Sequence, residues 1–249
     1  ADGVLGTANY AYDPETGEVR LGRYGWKAGK VSLRHQVTNA ALLDMAVTSS
    51  VYPKLACLAG PQQCDPATAE PGLPDEAVTA MTQYLHLLAV PAQRSVVSGF
   101  PKGVSPLTYL DVDPAKIAAG EKVFKDIRCV TCHVSEVKTS ERSEFDEVRN
   151  QTIKPYTDML LHDMGPGLAD NFTEGLASGS MWRTPALWGI GYTQFVAGGT
   201  VAGYLHDGRA RTLTEAILWH GGEAEVIKNR FVNLPTAERE ALLAFLKSL

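Results

Sequence analysis

An all-α fold is expected from three features of the chain. Apolar residues recur at three- and four-residue steps in five segments. Helix-start signals stand at the head of several of them, and no βαβ pattern is found. The 249 residues are 45% hydrophobic and 20% charged, enough chain for one or two cores. Lys and Arg total 23 against 28 Asp and Glu, a formal charge of −5, which argues against a nucleic-acid binder. No apolar run approaches the ~18–20 residues of a bilayer-spanning helix. The chain opens Ala1-Asp2-Gly3 with neither a Met nor a basic n-region, so a signal peptide is expected to be already removed or to lie further upstream.

The elements follow in order. Residues 1–30, rich in Gly and Tyr, read as irregular lead-in. From Val31 to about Val47, Leu33, Val37, Ala40, Ala41, Asp44 and Val47 keep helical spacing. A Pro/Gly-rich stretch from Pro53 to Pro74 reads as loop, and inside it Cys57 and Cys64 are expected to form a local disulfide rather than pack as free thiols. Asp75 is the expected cap of a helix with Val78, Met81, Leu85 and Leu88 on one face, stopping at Pro91. His86 on that helix reads as a surface or boundary residue. Pro91 to Pro106 looks like a linker, dividing a helical, loop-rich region at 1–105 from a second domain at 106–249.

The second domain opens on a clear helix. Asp113 is its N-cap, Pro114 sits at N1, and Ile117, Gly120, Phe124 and Ile127 repeat on one face. Ser135 to Asp158 is polar, without strong period, and reads as an exposed insertion. Thr212 and Glu215 form a capping box for a short helix ended by Gly221-Gly222. Thr236 is the expected cap of the last helix, with Leu242, Phe245, Leu246 and Leu249 on one face.

The first of these helices runs directly into Cys129-Val130-Thr131-Cys132-His133. This is the pattern of covalent haem attachment: two thiols form thioethers to one porphyrin, and the adjacent imidazole becomes the proximal iron ligand. A thioredoxin-type dithiol lacks its βαβ context here, and a zinc site lacks its four ligands. Packing the first and last helices of this domain across each other at Gly120, Phe124 and Phe245 gives the architecture of a class I cytochrome c. Both cysteine pairs point to an oxidising compartment, a bacterial periplasm or cell exterior.

The sixth iron ligand decides much of the function. His220 shares a helix face with Leu213, Ala216 and Ile217, where a metal would satisfy it; the plainer alternative is a core histidine bonded to backbone. Met164, in His162-Asp163-Met164-Gly165-Pro166-Gly167-Leu168, is the rival, or simply packs in the crevice. His206 and His162 are pocket-shaping or propionate-contacting alternatives, and His35 lies beyond the linker. Arg183, Arg209 and Arg211 suit haem propionates or else form a solvated basic edge.

The order of Cys-x-x-Cys-His, Arg183-Thr184-Pro185-Ala186-Leu187, Tyr204-Leu205-His206-Asp207-Gly208 and Thr212-Leu213-Thr214-Glu215-Ala216-Ile217 resembles the C-terminal domain of bacterial di-haem cytochrome c peroxidases. Gly22-Arg23-Tyr24-Gly25-Trp26-Lys27-Ala28, the His162–Leu168 run and Leu218-Trp219-His220-Gly221-Gly222-Glu223-Ala224 are similar to the di-haem oxidoreductase family, whose members are grouped with peroxidases and thiol oxidoreductases. The resemblance spans essentially the whole chain. It implies His220 over Met164 as distal ligand. It also implies that the Pro166 carbonyl, in a Gly-Pro-x-Leu element, accepts a hydrogen bond from the imidazole of His133.

Family members carry two haem motifs and this chain has one, so it reads as the C-terminal portion of a longer oxidoreductase. The implied function is an electron relay of a peroxidase-like enzyme, with the peroxide-reacting haem in an upstream domain and a small redox protein as donor. The expected cofactor is covalent haem c with its iron; calcium at a domain boundary is left open. Two alternatives stand beside the relay: a thiol–disulfide oxidoreductase using Cys129 and Cys132, and a non-catalytic haem-binding docking domain.

Overall fold

The computed structural model describes residues 3–55, 70–94, 113–198 and 203–249. The expected Cys57–Cys64 disulfide and the boundary at 105/106 lie outside those residues.

The lead-in is not irregular throughout. Tyr10–Tyr12 (β1) and Val19–Leu21 (β2) form a hairpin with Tyr10 opposite Leu21. Ser32 caps Leu33–Met45 (α1) by accepting the His35 amide at 3.0 Å, and Ala46 ends it in the left-handed region. In Asp75–Leu87 (α2) Pro74, not the expected Asp75, occupies the capping position, and the helix stops short of Pro91. Of its expected apolar face Val78 is buried, whereas Met81, Leu85 and Leu88 are exposed.

Asp113 caps Pro114–Asp126 (α3) by accepting the Ala115 amide at 2.9 Å, as its residue type requires. The stretch read as an insertion forms the hairpin Val137–Lys138 (β3) and Thr152–Ile153 (β4), and its end turns inward: Tyr156 and Thr157 are buried. Leu161–Asp163 (β5) pairs antiparallel with Met181–Arg183 (β6), Leu161 facing Arg183 and His162 facing Trp182. On its other side Leu161 exchanges two main-chain bonds with Thr7, at 2.8 and 2.9 Å, an isolated bridge on the free edge of β5. The N-terminal arm thereby packs on the haem-motif half of the chain.

Thr193–Val196 (α4) and Leu213–Leu218 (α5) follow. Thr212 caps α5 through the Glu215 amide at 3.0 Å, while the Glu215 carboxylate reaches back to the Arg211 amide at 2.7 Å. Glu225–Val232 (α6) leads to Thr236–Ser248 (α7), where Pro235 rather than Thr236 occupies the capping position.

The all-α expectation is therefore corrected: the described residues include three two-stranded sheets, which makes this a mixed α/β chain. The strands are two or three residues long, too short to print a two-residue alternation on the sequence, and their partners are remote. The main core remains helical, with Phe124 and Tyr156 edge-on at 5.9 Å and Phe124 and Phe245 at 5.4 Å between centroids. Gly120 is required where α3 crosses α7: a Cβ there would stand 1.9 Å from the Ala241 carbonyl oxygen.

Candidate haem site

α3 ends at Asp126 with Ile127 as its C-cap, and Arg128, at φ +74°, turns the chain out of the helix. A tight turn, Cys129–Thr131, follows, and the Cys129 carbonyl accepts the amide of His133 at 3.0 Å. This turn delivers Cys129, Cys132 and His133 to one wall of a cavity of about 320 Å³. The two thiols are half-buried and not joined to each other. Phe124, Leu213, Ile217, Leu242 and Leu246 make the cavity apolar.

His220 lines the same cavity. It lies just past the end of α5 rather than inside it, its amide on the Ile217 carbonyl at 3.1 Å. The two imidazoles are prepared alike. His133 donates from Nδ1 to the Tyr156 carbonyl at 2.8 Å, and His220 donates from Nδ1 to the Ala216 carbonyl at 2.7 Å. Donation fixes each ring as the Nδ1–H tautomer, leaving the Nε2 lone pair for a metal. Among the described residues neither Nε2 has a hydrogen-bond partner. Burial pulls the His133 pKa down to about 4 and lowers that of His220, so both rings are neutral, as iron ligation requires.

The acceptor for His133 is Tyr156, not Pro166. Pro166 is exposed, in the turn Pro166–Leu168, and its carbonyl takes the Ala169 amide at 3.3 Å. Met164 does line the cavity.

The three arginines separate. Arg209 pairs with Asp207 and Arg211 with Glu215. The guanidinium of Arg183, on the cavity wall, donates to the main-chain carbonyls of Gly25 at 2.9 Å and Thr184 at 3.2 Å. Among the described residues it has no carboxylate partner, and burial lowers its pKa. An uncompensated guanidinium on an apolar cavity suits an anionic group of a ligand.

His206 stacks on Trp182 at 3.6 Å between centroids, and Lys27 lies 4.1 Å from the same indole ring. His206 therefore walls the cavity. His162 is held between Asp158 and Glu223, at 2.8 and 2.9 Å, with its Nδ1 3.6 Å from the Cys132 sulfur. His35 is bonded to Tyr52 at 2.8 Å, away from the cavity, and His86 rests against Phe145. The sequence reading missed Tyr156 and Ala216, which act through carbonyls any residue supplies, and Trp26, which lines the cavity from the supposed lead-in. Among the described residues no group of three or more His, Cys, Asp or Glu is placed to hold a metal ion.

Two neutral imidazoles with free Nε2 atoms, in an apolar chamber beside an unpaired guanidinium, fit a porphyrin with its iron and its propionates. The class these residues define is a haem-linked redox protein. Its family follows from comparison: the model described as "Di-haem oxidoreductase, putative peroxidase" matches residues 1–249, and the chain belongs to that family. No curated protein matches the chain. Among solved structures it is similar to a chain of Kuenenia stuttgartiensis hydrazine synthase pressurised with 20 bar of xenon, at 19% identity. That match covers 70% of this chain and 55% of the other, with a TM-score of 0.37, too weak a likeness to bear on function. No helix among the described residues is long and apolar enough to cross a membrane.

Proposed function

We propose that the chain is a c-type haem module relaying electrons within a peroxidase-like di-haem oxidoreductase. The observation that carries this reading is the pair His133 and His220, both lining one apolar cavity with Nδ1 tied to backbone and Nε2 free. Bound haem supplies one-electron iron chemistry. Cys129 and Cys132 would anchor it through thioether bonds to its two vinyl groups. His133 and His220 would hold the iron through Nε2, and Arg183 would pair with a propionate.

With His133 and His220 both given to the iron, this site would pass electrons rather than meet peroxide, and the peroxide-reacting haem would belong to an upstream domain. A small redox protein is the donor, and the compartment is periplasmic. The thiol–disulfide alternative has less support, because burial pushes the Cys129 thiol pKa up to about 12, the reverse of what a reactive dithiol needs.

Absorption and EPR spectra of protein matured in a haem-loading host test the reading. A low-spin six-coordinate haem that ignores added peroxide agrees with it. A high-spin haem that consumes peroxide contradicts it.

A further inference from the structure

Two short segments, both picked out by the sequence, meet at the edge of the haem cavity, whose lining includes His162 and Met164. One is His162-Asp163-Met164-Gly165; the other is Gly221-Gly222-Glu223, directly after His220. Their backbones touch so closely that side chains are excluded. A Cβ on Gly222 would stand 2.2 Å from the Asp163 carbonyl oxygen, and one on Gly165 would stand 2.9 Å from the Gly222 nitrogen. Both glycines also have positive φ, which disfavours any L side chain.

The bonds across this seam converge on one carboxylate. Glu223 accepts from His162 Nδ1 at 2.9 Å, from the Asp163 amide at 3.0 Å and from the Leu5 amide of the N-terminal arm at 2.7 Å. The far nitrogen of the same ring donates to Asp158 at 2.8 Å. Asp158 belongs to the proximal side: its own amide bonds the Cys132 carbonyl at 2.9 Å, and Tyr156, two residues earlier, orients His133. His162 is 3% exposed and bridges the segment carrying one imidazole to the segment carrying the other. Donation from both nitrogens makes the ring an imidazolium between two carboxylates. It therefore has no lone pair with which to serve Cys132 as a base, so its geometry is that of a clasp.

We infer that Asp158, His162 and Glu223 form a clasp that positions His220, so that the sixth ligand stays on the iron only while the clasp is closed. The inference rests on the proposed ligation of haem by His133 and His220. Opening the clasp lets the loop from His220 to Ala224 withdraw and leaves a coordination position open to an external ligand. Asp158, His162 and Glu223 are positioning residues and touch no reacting atom.

The test uses Glu223→Gln in haem-loaded protein. Its amide keeps the size of the carboxylate but cannot accept from both the Asp163 amide and the imidazolium as strongly. The readouts are the spin state of the ferric haem and the rate of cyanide binding, with covalent haem measured first by pyridine haemochrome. Wild type without covalent haem overturns the haem reading itself. A His220→Ala variant that stays low-spin overturns the ligand assignment. With both controls as expected, the clasp predicts a larger high-spin fraction and cyanide binding at least tenfold faster in Glu223→Gln, and the same direction in Asp158→Asn. Spectra and rates like wild type in both variants overturn it. Failure of both variants to accumulate makes the cluster a folding requirement and overturns it equally.

Discussion

His133 and His220 lie more than eighty residues apart in the chain, yet each donates its Nδ1 proton to a main-chain carbonyl and offers Nε2 to the same cavity. A buried imidazole bonded through one nitrogen alone is poorly satisfied, and a metal is the partner that completes it. Replacing His220 by Ala is therefore expected to turn a low-spin haem high-spin and open it to cyanide or carbon monoxide. Replacing it by Met is expected to keep the haem low-spin and raise its midpoint potential, as Met/His ligation does. Absorption spectra and a redox titration read both outcomes.

Arg183 stands on the cavity wall without a carboxylate partner among the described residues. Its charge disfavours the ferric state, which carries one more positive charge than the ferrous. Arg183→Gln is expected to lower the midpoint potential by up to about 59 mV, a tenfold change in the one-electron equilibrium. The measurement is spectroelectrochemistry of the haem-loaded variant against wild type.

Stability of the haem-free protein is expected to fall on both sides of neutrality. Burial depresses the pKa of His133 to about 4 in the folded state from 6.5. The unfolded chain then binds more protons between those values, so stability declines as pH drops through that window. His162 behaves in the opposite sense. Burial opposes its charge, but hydrogen bonds to Asp158, Cys132 and Glu223 prevail and raise its pKa to about 11. Its contribution is complete below about 6.5 and is lost as pH climbs towards 11. Thermal unfolding at acid, neutral and alkaline pH checks both limbs, and His162→Gln should flatten the alkaline one.

The crossing of α3 and α7 has no room at Gly120 for even one more carbon. Gly120→Ala forces the helices apart and is expected to destabilise the protein by about 2–3 kcal/mol. Denaturant unfolding measures the loss. Haem incorporation should fall with it, because α3 carries the Cys-x-x-Cys-His turn.

The parts of this molecule that the sequence made legible are those with local causes. Asp113 and Pro114 start α3 by their own chemistry, and Phe124, Phe245 and Leu246 keep a helical period long enough to read. Cys129, Cys132, His133 and His220 were readable for the same reason: the first three stand together, and the last follows a capped helix. What stayed hidden depends on distance along the chain. Thr7 meets Leu161, and β5 meets β6, through strands of three residues or fewer that leave no period. Tyr156 sits in a polar stretch and serves His133 with a carbonyl, so its residue type carried no signal. Glu223 was visible as part of a motif, but its bond to His162 spans sixty-one residues.

The central claim is that Cys129 and Cys132 carry a haem through covalent sulfur bonds. Intact mass of protein from a haem-loading host, taken before and after denaturation, tests it most directly. A mass equal to polypeptide plus one haem under both conditions is the predicted result. A mass equal to the bare polypeptide after denaturation contradicts it.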